Sequence, residues 1–218
     1  MGAITILGLG PGDFGLLTLE TWDRLRSGQP LFLRTARHPV VAELDKRGID
    51  YTTYDHEYET GQSFDDVYQA IANDVVRRAD AGEPVLYAVP GSPLVAEKTV
   101  SLVRAMAADR GIDVAILPAM SFLETLYARL AIDPIAGITV VDAADIDRLP
   151  RHLSTSLVVT QIYSRPEWLR ASVIRLARII HTVILSAAKD LGGVSETGQI
   201  LRCAQNDRRT ALFMNNPG

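Results

Sequence analysis

The residues best suited to chemistry fall in three short segments: Gly8-Leu9-Gly10-Pro11-Gly12-Asp13, Val89-Pro90-Gly91-Ser92-Pro93-Leu94-Val95-Ala96-Glu97 and Leu117-Pro118-Ala119-Met120-Ser121-Phe122. Glycine lets a backbone turn sharply and approach a ligand closely, and proline stiffens the path. Such loops suit a polar ligand held by exposed amides and carbonyls. Each has a plainer alternative. The first can be a tight strand-to-helix turn, the second a rigid loop with a helix starting at Pro93, and Ser121 in the third can simply cap a helix. Asp13 is the one loop carboxylate able to take a proton from an acceptor, and capping the following helix is its alternative role.

Other chemistries lack their residues. A dinucleotide fingerprint requires glycine where Asp13 stands, and a carboxylate there would repel a pyrophosphate. No Gly-Lys-Ser/Thr follows the first loop, so it is not a phosphate loop. Ser92 lacks the neighbours of a nucleophile elbow. His38, His56, His152 and His181 show no metal-ligand spacing, so no metal site is expected. Asp55, Glu57 and Glu59 alternate as on a solvated strand edge, and no Glu-Glu-x-x-Glu pattern for pyrophosphate hydrolysis occurs.

Positioning these loops requires alternating strands and helices. Short β-branched or apolar runs predict strands at 4–7, 30–33, 51–54, 85–89 and 114–117. Helices are expected over 16–26, over 40–46 behind Pro39, from Ser63-x-x-Asp66 to Gly82, over 94–108 and over 122–130. This order implies a parallel or mostly parallel sheet with helices on its faces. All three loops then lie at C-terminal strand ends, where open α/β sheets bind ligands. Asp133-Pro134 and Gly137 punctuate a boundary, beyond which strands at 138–141 and 157–160 and a helix from Pro166 to about Ile180 begin a second α/β unit.

The chain has 218 residues, a net charge of −4 and one cysteine, Cys203. A surface of this sign gives no electrostatic footprint for nucleic acid. A lone cysteine cannot form an internal disulfide, and no apolar run reaches the roughly 18 residues of a spanning helix. With no signal-peptide pattern, a cytoplasmic location is expected.

Together and in order, the three loops resemble the tetrapyrrole methylase family. The similarity is nearest to the branch fused upstream of a MazG-type nucleotide pyrophosphohydrolase. It rests on the first loop with Leu16-Leu17-Thr18, on Leu33-Arg34-Thr35-Ala36-Arg37-His38-Pro39-Val40, on Phe64-Asp65-x-Val67-Tyr68 and on Tyr87-Ala88-Val89-Pro90-Gly91. Pro93-Leu94-Val95-Ala96-Glu97, the third loop with Leu123, and Thr160-Gln161-Ile162-Tyr163 complete it. The resemblance implies two α/β domains with S-adenosylmethionine folded in the cleft between them. By position it makes Pro11, Pro90, Gly91, Ser92, Val95, Ser121, Phe122 and Gln161 cofactor contacts. It implies a methyltransferase with a small-molecule acceptor, tetrapyrrole-like or otherwise. A regulatory or interaction module without turnover is the alternative. A nucleotide pyrophosphohydrolase and a second copy of the chain are the implied partners. Ser92 stands where that branch usually has His and other relatives Asp.

The C-terminal stretch departs from the family. Residues 183–191 and 200–207 resemble a translated intergenic repeat, and Gly192-Gly193, Asn206-Asp207 and Asn215-Asn216-Pro217-Gly218 are breaker-rich. The expected organisation is an N-terminal domain over 1–118, an incomplete C-terminal domain over 119–180 and a poorly ordered tail over 181–218. On this expectation the tail does not complete the second sheet, and activity is impaired.

Overall fold

The computed structural model describes residues 2–149, 155–161, 182–187, 200–201 and 210–215. The chain divides into two compact units, residues 1–130 and 131–217.

The first unit holds strands β1 (Ile4–Gly8), β2 (Leu31–Leu33), β3 (Thr52–Thr53), β4 (Val85–Val89) and β5 (Val114–Ile116). They form one sheet in the order β3-β2-β4-β1-β5, and every pairing is parallel. Side chains alternate between the faces of a strand, and the sequence supplies apolar residues to both. Ile4, Ile6, Val85, Tyr87 and Val89 join a core with α4 (Phe64–Asp80) and α5 (Lys98–Ala108). Leu7, Leu9, Leu86 and Ala88 join another with α1 (Leu19–Leu25) and α2 (Pro39–Lys46). Burial on both faces explains why these strands read as unbroken apolar runs.

The order of the strands locates a crevice. The chain leaves β1 toward β2 on one side and leaves β4 toward β5 on the other. Adjacent strands whose connections diverge form a topological switch point, and ligands bind beyond the strands' C-terminal ends there.

Several local expectations are refined. The expected helix over 16–26 divides: a 3₁₀ turn at Phe14–Leu16 is followed by α1, whose cap Thr18 accepts from the Thr21 amide at 3.1 Å. Asp55, Glu57 and Glu59 lie on helix α3 (Asp55–Thr60), not on a strand edge. The Asp55 carboxylate there accepts from the Thr35 hydroxyl at 2.5 Å and the Ala36 amide at 2.8 Å, a local compensation that alternation alone does not reveal. Ser63 caps α4 as expected, accepting from the Asp66 amide. Helix α5 begins at Lys98 rather than Leu94, because residues 94–97 remain in the loop and Ala96 is left-handed at φ +54°.

The second unit contains β6 (Ile138–Asp142), β7 (Ser156–Thr160), β8 (Thr182–Ala187), β9 (Ile200–Leu201) and β10 (Thr210–Asn215), in the order β6-β7-β8-β10-β9. The expectation for the tail is corrected here. β8 pairs in parallel with β7 and β10 in parallel with β8, so β7 has a strand on each side. The β-branched run Thr182-Val183-Ile184 is long enough to extend the sheet beside Leu157–Val159, and of the breakers named for this stretch only Asn215 falls in a described strand, as the last residue of β10. The observed division also follows α6 (Phe122–Leu130) rather than residue 118. The helix expected after Pro166 lies outside the described residues.

Candidate functional site

The three segments meet at the C-terminal edge of the first sheet, and Gly8 marks the meeting point. A Cβ built on Gly8 would lie 2.2 Å from the Gly91 carbonyl oxygen, 2.6 Å from the Ala119 Cβ and 2.8 Å from the Pro93 Cδ. One residue at the end of β1 therefore touches all three loops, and only glycine leaves room for them. Beyond it, Gly10 and Gly91 exchange backbone hydrogen bonds. The Gly10 amide donates to Gly91 O at 3.1 Å, and the Gly91 amide donates to Gly10 O at 2.8 Å. Both residues take positive φ, +72° and +68°, where side chains are disfavoured.

Around Gly91 the loop keeps open space. No described atom lies within 4 Å of the point where its Cβ would sit. Pro11 and Pro90, half-buried, flank the paired glycines. Ser92 is buried, and its hydroxyl accepts from the Leu94 amide at 3.4 Å while its carbonyl accepts from the Val95 amide at 3.2 Å. Its hydroxyl thus shapes the loop from within, and half-buried Val95 closes that turn.

In the third loop Ser121 is buried, and its hydroxyl donates to Glu124 Oε2 at 2.7 Å and accepts from the Leu123 amide at 3.0 Å. Glu124 Oε2 also accepts from the Ser121 amide at 2.6 Å. This reciprocal capping box fixes the start of α6 and leaves Phe122 half-buried beside it. The Asp13 side chain accepts from the Gly15 amide at 2.8 Å, which is the capping role. Gln161 belongs to the second unit, where it follows Thr160 of β7 in left-handed backbone at φ +62°.

Two supporting features were not singled out in the sequence. His38 Nδ1 accepts from the Val40 amide at 3.3 Å, so the proton sits on Nε2, which donates to Gly10 O at 3.1 Å. One imidazole therefore caps α2 and steadies the first loop. The second feature is a polar cluster beneath the second loop. Arg34 Nε lies 3.3 Å from Glu97 Oε2, and Arg34 Nη1 donates to the Tyr58 hydroxyl at 3.3 Å. Glu97 Oε1 accepts from the Thr99 hydroxyl at 2.6 Å, and that hydroxyl lies 2.9 Å from Tyr87 Oη. Burial alone would lower the Arg34 pKa, but Glu97 and the tyrosines hold it above the ordinary arginine value. Burial pushes the Tyr58 hydroxyl up to about 12 and raises Tyr68 and Tyr87 as well. Both Arg34 and Glu97 lie inside quoted motifs. The available signal was a pair of opposite charges flanking strand-end loops in an otherwise apolar context.

Among the described residues no group of three or more His, Cys, Asp or Glu side chains is placed to hold a metal ion. Among them, too, no helix is long and apolar enough to cross a membrane.

The first unit is thus a parallel sheet with its switch point between β1 and β4, and three glycine- or proline-bearing loops gather beyond its strand ends. Residues 3–213 match the family model of the tetrapyrrole (corrin/porphyrin) methylases, and the chain belongs to that family. The match runs through β8 and into β10, agreeing with the correction made for the tail. Among curated proteins the chain is 34% identical over 217 residues to the uncharacterized protein YabN of Bacillus subtilis, covering 97% of this chain and 43% of that one. It therefore spans less than half the length of the curated relatives it matches. Among solved structures it is similar to the methyltransferase CobJ, with TM-score 0.63 and 20% identity over 82% of this chain and 76% of that one. It is also similar to uroporphyrin-III C-methyltransferase of Thermus thermophilus complexed with S-adenosylhomocysteine, with TM-score 0.52 and 19% identity over 80% of this chain and 72% of that one. At these identities the structural likeness establishes the fold.

Proposed function

We propose that this chain is an S-adenosylmethionine-dependent methyltransferase module acting on a small-molecule acceptor, with the cofactor seated on the three loops of the first unit. The observation that carries the reading is the convergence at Gly8 together with the open space at Gly91. The residues fit such a ligand. A rigid, glycine-lined seat admits a bulky nucleoside, and the buried Ser92 and Ser121 supply polarity without a charge that would repel a sulfonium. Pro11, Pro90, Gly91, Ser92, Val95, Ser121 and Phe122 would hold it, and Gln161 keeps the contact role that the motif resemblance gives it. When bound, the sulfonium supplies an activated methyl group for in-line displacement by the acceptor. The protein's share is then binding, orientation and exclusion of water, which agrees with loops whose polar side chains are engaged within the protein itself. Asp13 is committed to its cap, so proton removal from the acceptor is not assigned to it.

Because the chain spans only part of YabN, a nucleotide pyrophosphohydrolase module remains part of the proposal as a functional partner, supported by the motif resemblance. Calorimetric titration with S-adenosylhomocysteine tests the core of the reading. Saturable binding with one site per chain is expected, and no heat at millimolar ligand would refute it. Binding without methyl transfer across a panel of acceptors would instead establish a regulatory module.

A further inference from the structure

We infer that Glu97 and Arg34 are positioning residues for the cofactor site: their ion pair, buried at Glu97 and half-buried at Arg34, anchors the far end of the second loop and so helps hold Gly91 and Ser92 against the first. The inference rests on the proposed cofactor reading. It starts from local signs that this stretch is shaped by something other than its own propensity.

Glu97 occupies the N-cap position of α5 but makes no capping hydrogen bond. Its side chain is 4% exposed and turns to Arg34 and Thr99 instead. The residue before it, Ala96, is left-handed without being glycine. A helix that forgoes its cap beside an unfavourable backbone angle is over-determined from outside, and the contacts of Glu97 with Arg34 and Thr99 lie there. The other end is equally well fixed. Arg34 carries the β2–β4 ladder one residue beyond Leu33, its amide donating to Ala88 O at 2.9 Å. Its guanidinium therefore starts from a rigid point beside the strand that launches the loop. Thr99 and Tyr87 tie Glu97 to the centre of that same strand. The loop over 90–96 is thus held at Val89 by the sheet, at Gly91 by its paired bonds to Gly10 and at Glu97 by the pair, so the pair governs the stretch from Ser92 to Ala96. Breaking the pair releases one end. Apparent affinity then falls in proportion to the time the loop spends in its binding geometry.

Three variants of the full chain test this: E97Q, R34M and the double variant R34M/E97Q. The readouts are S-adenosylhomocysteine affinity, thermal stability and hydrogen exchange of the amides over 91–96. Removing one member of a buried pair leaves an uncompensated charge, whereas removing both relieves it. The expected pattern is about tenfold weaker binding and faster exchange over 91–96 in all three variants, while the double variant recovers most of the stability lost in R34M. Recovery of affinity and protection along with stability would make the pair purely structural and overturn the inference, as would wild-type behaviour of E97Q. R34K keeps the charge without the planar donor set and replaces R34M if that variant does not fold. If wild-type protein binds no S-adenosylhomocysteine, the cofactor reading falls. The exchange data still decide the anchor: faster exchange confined to the loop supports it, and unchanged exchange refutes it.

Discussion

Replacing Gly8 by alanine is the sharpest probe of the convergence. The new methyl would lie 2.2 Å from Gly91 O, 2.6 Å from Ala119 Cβ and 2.8 Å from Pro93 Cδ. Ordinary contacts for such a carbon begin near 3.4 Å, so three neighbours must retreat together. None can swing aside as a long side chain would. One is a carbonyl already bonded to the Gly10 amide, one a proline ring and one a Cβ fixed to its backbone. Overpacking a rigid site costs about 1–3 kcal/mol, and three fixed partners place this substitution at the upper end. At roughly 2–4 °C per kcal/mol for a chain of this length, Tm should fall by about 6–12 °C. Gly91→Ala provides the contrast. Its methyl meets no described atom within 4 Å, so the main cost is the left-handed backbone, about 1 kcal/mol or roughly 2–4 °C. Yet that methyl occupies the proposed cofactor space, so S-adenosylhomocysteine binding should vanish while the fold survives. Thermal unfolding by circular dichroism, with calorimetric titration of both variants, decides the matter. A Gly8→Ala protein melting within 2 °C of wild type, or a Gly91→Ala protein binding normally, would refute the geometry argued here.

Asp13→Asn keeps a side-chain oxygen for the Gly15 amide, so stability and turnover should both match wild type, whereas Asp13→Ala should lose about 1 kcal/mol in urea unfolding. Turnover lost in Asp13→Asn at unchanged stability would instead make Asp13 a base. His38→Ala removes both the cap of α2 and the donor to Gly10 O, so a loss of about 1–2 kcal/mol is expected. Hydrogen exchange of the Gly10 and Gly91 amides should accelerate with it. The tyrosine hydroxyls at 54, 58, 68 and 87 are all held above their ordinary value, chiefly by burial. The folded state therefore binds these protons more tightly than the unfolded chain. Their contribution is intact below pH about 10 and is lost as pH rises toward and beyond 12, the value to which Tyr58 is pushed. A tyrosinate absorbance titration that runs to completion near pH 10 without unfolding would contradict this.

The first unit was largely legible in the sequence because its signals are local. β1 and β4 are short apolar runs ending in glycine and proline, and Ser63 and Ser121 announce helices through hydroxyls that cap within three residues. What escaped depends on contacts between distant segments. Nothing near Ala96 marks it as left-handed, so the apolar spacing extends α5 back to Leu94, whereas the helix begins at Lys98. Likewise, His38 looks isolated in one dimension, and only folding brings its ring to Gly10. In the second unit the eye was drawn to breakers around residues 192, 206 and 215. Parallel strands draw their partners from across the sheet, so six residues suffice for β8 to pair with β7 and six for β10 to pair with β8.

The join between Gly10 and Gly91 is made wholly of amides and carbonyls. Its two bonds therefore draw no atom from the side chains at Pro11 and Val95. A library randomised at Pro11 and Val95 would alter the chemistry facing a ligand and leave the two turns stitched at the same distance. Proline at either glycine would instead cut a stitch, by removing its amide proton. Seat and upholstery are thus separately editable, and ligand preference could drift or be engineered without rebuilding the frame beneath it.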